Sequence, residues 1–118
     1  MIQTLENRFP DNDYLVELGA PEFTSICPMT GGPDFGEITV RYVPDEKLFE
    51  LKSLRDYLSG FRDRAIFQEE LVNEVLDRLV VDGAPRFVEV EGTFNARGGM
   101  TTRVLASSGE APRSWISD

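Results

Sequence analysis

The chain has 118 residues, 41% of them hydrophobic, and a formal net charge of −9, which is material for one compact domain with a single core. With one cysteine and no histidine, it can form no intramolecular disulfide and no ordinary zinc shell, and its acidic balance opposes broad electrostatic binding to nucleic acid. No stretch has the apolar length of a membrane span, and "MIQTLENRFPDND" lacks the blocks of a signal peptide, so the cytoplasm is the expected location.

Two runs rich in β-branched and aromatic residues come first, "DYLVEL" and "GEITVRYV". In the second, Ile38, Val40 and Tyr42 alternate with Glu37, Thr39 and Arg41, the period of a strand with one buried face. Between them lies "ICPMTGGPDFG", which reads as a long irregular loop of the kind that carries function on a scaffold. "ELKSLRDYLSG" then places Leu51, Leu54 and Leu58 at helical spacing, with Gly60 as its stop. "AIFQEELVNEVLDRLVV" is the longest periodic segment, and Phe67, Leu71, Val72, Val75, Leu76 and Leu79 form one apolar stripe. Finally "RFVEVEGTFN" alternates Phe87, Glu89 and Glu91 against Val88, Val90 and Gly92, and after "ARGG" the run "MTTRVLASS" can pair with it as a hairpin. The order strand, strand, helix, helix, strand, strand predicts an α+β fold, a four-stranded antiparallel sheet with both helices on one face and the other face free to meet other subunits. Residues 1–118 then form a single domain, with 108–118 as a tail on which Trp115 could act as an anchor.

Several residues could carry chemistry. On the wheel of the long helix Gln68 falls within the apolar stripe and Glu69 at its edge, so both are expected to face inward at the helix start. Burying them without a partner costs about 1 to 3 kcal/mol each, although first-turn acids also favour a helix N-terminus for its dipole alone. An ionised carboxylate offers two acceptor oxygens and suits a ligand with two parallel N–H donors, such as a guanine-type edge. Lys52 and Arg55 share one side of their helix, where they form either a phosphate clamp or a solvated face. Arg97 stands beside two glycines that permit close ligand approach. Cys27 is either an inert thiol or a nucleophile; its place between Pro28 and the Gly31–Gly32 pair points to a loop, and Asp34 is the nearest proton handler in sequence.

Taken together, "EFTSICPMTGGPDF", "FELKSLRDY", "FRDRAIFQEE" and "ARGG" resemble the short, single-module 7-cyano-7-deazaguanine reductases, the NADPH-dependent nitrile reductases of queuosine biosynthesis. The likeness runs from about Glu22 to Met100 with its motifs in order. It implies the tunnelling fold, similar to that of GTP cyclohydrolase I, in which small sheets assemble into homo-oligomeric rings with sites between subunits. The metal-dependent cyclohydrolase reaction itself is excluded, because its zinc-ligand histidine and second cysteine are absent. The resemblance further implies that Cys27 attacks the nitrile carbon of 7-cyano-7-deazaguanine to give a thioimide and that Asp34 protonates the nitrogen. By the same likeness Phe49, Glu50 and Leu51 line the substrate site, Glu69 holds the guanine-like edge with Gln68 beside it, and Lys52, Arg55 and Arg97 bind NADPH. Gln68 stands where the family usually has histidine, Arg55 where it has lysine, and Asp56 where it has leucine. Two other readings remain: an amidine synthase that adds ammonia to the same nitrile carried on tRNA, and a non-catalytic purine-binding module.

Overall fold

A computed structural model describes residues 1–112; Trp115 lies outside the described residues. The chain runs β1 (Thr4–Glu6), β2 (Val16–Ile26), β3 (Pro33–Val43), β4 (Lys47–Phe49), α1 (Leu51–Ser59), α2 (Gln68–Gly83), β5 (Phe87–Arg97) and β6 (Met100–Gly109). The main sheet is four-stranded in the order β2-β3-β5-β6, antiparallel throughout. The expected α+β order is present, and β6 takes Ser108 and Gly109 from the stretch expected as a tail, pairing them with Val88 and Phe87.

Alternation decides the two faces of the sheet. Ile38, Val40 and Tyr42 of β3 and Val88, Val90 and Phe94 of β5 are buried with Leu71, Val72, Val75 and Leu79 of α2 and Leu54 and Leu58 of α1. Gly92 admits α2 closely, because a Cβ there would come within 2.8 Å of Val72. Two members of the expected helical stripes are not in the core. Leu51, the first residue of α1, is 62% exposed, and Phe67, the N-cap of α2, is 49% exposed.

The face away from the helices is not an apolar surface waiting for a partner. Arg41 spans Glu17 at 2.6 Å and Glu89 and Glu91 at 2.8 Å, and Arg103 also pairs with Glu91. These charges satisfy one another across β2, β3, β5 and β6, as cross-strand neighbours on one face do.

Three features were not read from the sequence. First, β2 continues past "DYLVEL" to Ile26, and β3 begins at Pro33. The long loop therefore shrinks to Cys27–Gly32, and the Asp34 and Phe35 expected in it are paired strand residues opposite Ser25 and Thr24. Second, the pairing slips between Ala20↔Ile38 and Phe23↔Gly36, so that Pro21 and Glu22 together oppose Glu37. Such a bulge shifts the side-chain phase by one: Val16, Leu18 and Ala20 pack toward the helices before it, and Phe23 and Ser25 are the buried residues after it. Pro21 is tolerated because β2 is an edge strand. Third, β1 and β4 form a small antiparallel sheet of their own, too short to leave a periodic signal. It ties the beginning of the chain to α1, with Glu50 N–H donating to Gln3 O at 2.9 Å and Gln3 N–H to Ser53 Oγ at 2.8 Å.

Candidate active site

The ends of β2 and β5 and the start of β3 meet at one end of the sheet, and this junction holds the thiol. Cys27 follows directly on Ile26, and its loop is closed by Cys27 N–H to Gly32 O and Gly31 N–H to Cys27 O, each 2.9 Å. Gly31 takes φ 73°, in the left-handed region where glycine carries no steric penalty. Asp34 is 5% exposed and faces the helix side with Ser25 opposite it. Arg97, on the last residue of β5, reaches back over both: Nη1 donates to Asp34 Oδ1 at 2.7 Å and Nη2 to Thr30 Oγ1 at 3.1 Å.

Cys27 is half-buried. The Thr30 hydroxyl, together with the backbone N–H groups of Thr30 and Met29, holds the Cys27 thiol below its ordinary pKa, while burial and the Asp34 charge oppose that shift. The hydrogen bond to Asp34 raises the Arg97 pKa, so this cation is permanent. Thr30, in the midst of "CPMTGG", was not singled out from the sequence; a hydroxyl close to a lone thiol was the signal present. Ser25 was missed as well. Its Oγ is buried with no hydrogen-bond partner among the described residues.

A second group gathers on α1. Glu50 is its N-cap and accepts from Lys52 N–H at 2.8 Å and Ser53 N–H at 2.9 Å, which satisfies two of the orphan donors of the first turn. Glu50, Leu51, Lys52 and Arg55 line a groove of about 700 Å³ between α1 and β2. Lys52 Nζ is 3.1 Å from Asp56 Oδ2, both exposed. Phe49 does not line this groove. It is 6% exposed, its ring packs edge-on to Tyr42 at 4.9 Å, and Gly83 exists beside it because a Cβ there would lie 2.4 Å from the ring. Phe49, expected along the substrate site, has its side chain in the core, where the β1–β4 pairing carries it. A larger groove, about 970 Å³, runs past the thiol loop between Ile26, Gly31, Pro33 and Phe35, and it shares Glu22, Phe23, Thr24 and Arg62 with the first.

The third group is the start of α2. The residues before it pair with the end of β2, with Ile26 N–H to Arg64 O at 3.0 Å and Ile66 N–H to Ile26 O at 3.1 Å, which anchors Gln68 and Glu69 close in chain to the bridge that precedes Cys27. Gln68 is half-buried but Glu69 is exposed, so the expectation that both face inward holds only for Gln68. Glu69 is the second residue of the helix, and its exposed carboxylate is left to solvent and the helix dipole. One chain thus joins Cys27, Thr30, Asp34 and Arg97, and separately Glu50, Leu51, Lys52 and Arg55; Gln68 and Glu69 line neither groove. Arg97, expected at the dinucleotide, makes its hydrogen bonds within one chain to Asp34 and Thr30.

An α+β chain whose one thiol stands on a loop leading into a buried, arginine-bound carboxylate has the layout of a small enzyme. The chain belongs to the family described as QueF-like protein, whose model matches residues 33–113. It is 50% identical over 107 residues to the NADPH-dependent 7-cyano-7-deazaguanine reductase of Chlorobaculum tepidum, covering 91% of this chain and 92% of that one. It is 47% identical over 113 residues to the enzyme of the same name from Prosthecochloris aestuarii, covering 96% of each. The crystal structure of an archaeosine synthase, itself QueF-like and in the apo form, superposes with a TM-score of 0.77 at 28% identity, over 83% of this chain and 96% of that one. The tunnelling fold expected from the sequence agrees with that likeness. Among the described residues no helix is long and apolar enough to cross a membrane.

Proposed function

We propose that the chain is an NADPH-dependent oxidoreductase that converts the nitrile of 7-cyano-7-deazaguanine to the aminomethyl group, acting in the cytoplasm as one domain of a ring-shaped homo-oligomer. The observation that carries this reading is the Cys27 loop, closed from Cys27 to Gly32, leading directly into the buried, arginine-bound Asp34, in a chain half identical to reductases of that name.

Cys27 sulfur attacks the nitrile carbon. The C–S bond forms as one C–N π bond opens, and the thiol proton passes by way of the Asp34 carboxylate to the nitrogen, giving an N–H thioimide with no net gain or loss of protons. A thioimide protonated on nitrogen accepts hydride far more readily than a nitrile, so the covalent step turns one hard reduction into easier ones. Lys52 and Arg55, exposed on the rim of the 700 Å³ groove, fit the phosphates of NADPH by charge and reach. Bound there, NADPH would supply one hydride to each of two reductions, each with a proton from solvent, the C–S bond to Cys27 breaking between them to return the thiol. Arg97 orients Asp34 and the thiol loop. Glu69 holds the paired donors of the guanine-like edge, and Gln68 hydrogen-bonds beside it without the proton-transfer capacity of an imidazole. Because Glu69 is exposed in one chain and β2 and β6 are open edges, a second copy completes the substrate site and covers an edge.

Purified protein given 7-cyano-7-deazaguanine and NADPH should lose reduced-nicotinamide absorbance with two NADPH consumed for each amine formed. Without NADPH, intact mass should rise by one nitrile, and Cys27→Ala should abolish both the adduct and turnover. Ammonia-dependent change of nitrile-bearing tRNA with no NADPH consumption would instead establish the amidine synthase. Light scattering that finds a well-folded monomer at working concentration would remove the ring.

A further inference from the structure

The two grooves follow one another along β2. The smaller is lined from Leu18 to Thr24 and faces α1, and the larger is lined from Pro21 to Ile26 and runs on past the thiol loop at Gly31. They overlap from Pro21 to Thr24, at the bulge and the two residues after it. Bulges re-aim side chains and are common beside active sites. The turn that follows α1 is docked on this overlap. Phe61 is 2% exposed, and its ring lies 6.0 Å from that of Phe23 and 5.4 Å from that of Tyr57. Phe61 N–H donates to Leu58 O and Arg62 N–H to Ser59 O, each at 3.2 Å, which fixes the backbone that carries the Arg62 side chain. Among the described residues Arg62 is the one cation that lines both grooves. Nearby, Lys52 is paired with Asp56 and Arg64 with Glu74. Glu22 and Asp63 share grooves with Arg62 and form no ion pair with it.

We infer that Arg62 binds the pyrophosphate of NADPH, at the overlap between a groove that takes the nicotinamide end to the thiol and a groove that takes the adenosine end to α1. This rests on the reductase reading and adds a binding residue to it. Hydride transfer requires the nicotinamide ring beside the carbon bound to Cys27, and the larger groove is the one that passes the thiol loop. Lys52 and Arg55 line the smaller groove alone, which suits them to the 2′-phosphate of the adenosine ribose. The pyrophosphate joins the two ribose units and so falls midway, where the grooves overlap. A guanidinium presents paired N–H donors that match phosphate oxygens. Without Arg62 the diphosphate would meet the carboxylates of Glu22 and Asp63 with no cation at the overlap to offset them.

The test is equilibrium binding of NADPH and of NADH to the full chain with no nitrile present, followed by the fluorescence of the reduced nicotinamide. Arg62 is exposed, so its variants should fold. Both dinucleotides carry the pyrophosphate, and only NADPH carries the 2′-phosphate. Arg62→Gln should therefore weaken both severalfold and by the same factor, and Arg62→Lys, which keeps the charge, should stay closer to wild type. Lys52→Ala and Arg55→Ala should weaken NADPH more than NADH. An Arg62→Gln protein that binds NADPH as tightly as wild type, or that loses the preference for NADPH over NADH, would overturn the inference. A wild type that binds neither dinucleotide defeats the reductase reading and this inference with it. A wild type that binds NADPH through Arg62 but never reduces the nitrile defeats the proposed reaction alone and leaves the role of Arg62 standing.

Discussion

Arg97 Nη1 lies 2.7 Å from Asp34 Oδ1, joining the last residue of β5 to the second residue of β3 across the end of the sheet. The carboxylate side chain is 6% exposed and the guanidinium side chain 42%, so the arginine closes a nearly buried acid from its solvent side. Arg97→Ala leaves that acid with no cation. Screening through the exposed arginine moderates the loss, and a stability decrease of about 1 to 3 kcal/mol in urea melts is expected from an unpaired buried carboxylate. Nitrile adduct formation should slow in the same variant. A melt unchanged from wild type would show that the pair is incidental.

Ser25 makes the opposite case. Its buried Oγ has no partner among the described residues, and an unsatisfied hydroxyl costs stability where a methyl group would not. Ser25→Ala should melt at the wild-type temperature or above it. A fall of several degrees in the melting temperature would mean that the hydroxyl is satisfied by a bound water or ligand.

Phe49 separates packing from binding. With its ring against Tyr42 and Gly83, Phe49→Ala should cost about 3 to 5 kcal/mol through the cavity it leaves, measured by denaturant unfolding. Phe49→Leu should recover most of that stability and keep the substrate KM near wild type. An unchanged unfolding midpoint in Phe49→Ala with a raised KM would return this side chain to the substrate site.

Asp56 competes with cofactor phosphate for Lys52, whose Nζ it meets at 3.1 Å. Asp56→Leu should lower the KM for NADPH, whereas Lys52→Ala and Arg55→Ala should raise it severalfold. All three effects should shrink as ionic strength rises, because exposed pairs are screened. A KM for NADPH indifferent to both cation deletions would remove these residues from the cofactor site.

On the charged face, Arg103 first and Arg41 second hold Glu91 below the usual carboxylate pKa. A folded pKa below the unfolded one adds stability that is complete above the unfolded value and is lost as pH falls through the folded value. Acidification through the carboxylate range should therefore destabilise the wild type more steeply than Arg103→Ala, which lacks the leading partner. Parallel acid-melt curves for the two proteins would show that this pair carries no such linkage.

The sequence by itself determined the elements whose signal is periodic and local. Ile38, Val40 and Tyr42, and Val88 and Val90, alternate as half-buried strands must; Leu71, Val72, Val75 and Leu79 recur at helical spacing, and all are core residues of the folded chain. The position of Cys27 in a glycine-bounded loop and the pairing of "ARGG" into a tight turn were legible for the same reason, since turn chemistry is written in adjacent residues. What only the tertiary structure decided concerns contacts between segments distant in the chain. No local pattern says that Arg97 will lie on Asp34, that the bulge at Pro21 and Glu22 will change the phase of β2 before it reaches Ser25, or that a three-residue pairing of β4 with β1 will turn Phe49 inward. Glu69 is the clearest instance. A helical wheel gives the direction of a side chain relative to its own axis, but whether that direction meets a sheet or solvent depends on what the helix packs against, and here Glu69 is left exposed while Gln68 before it is half-buried.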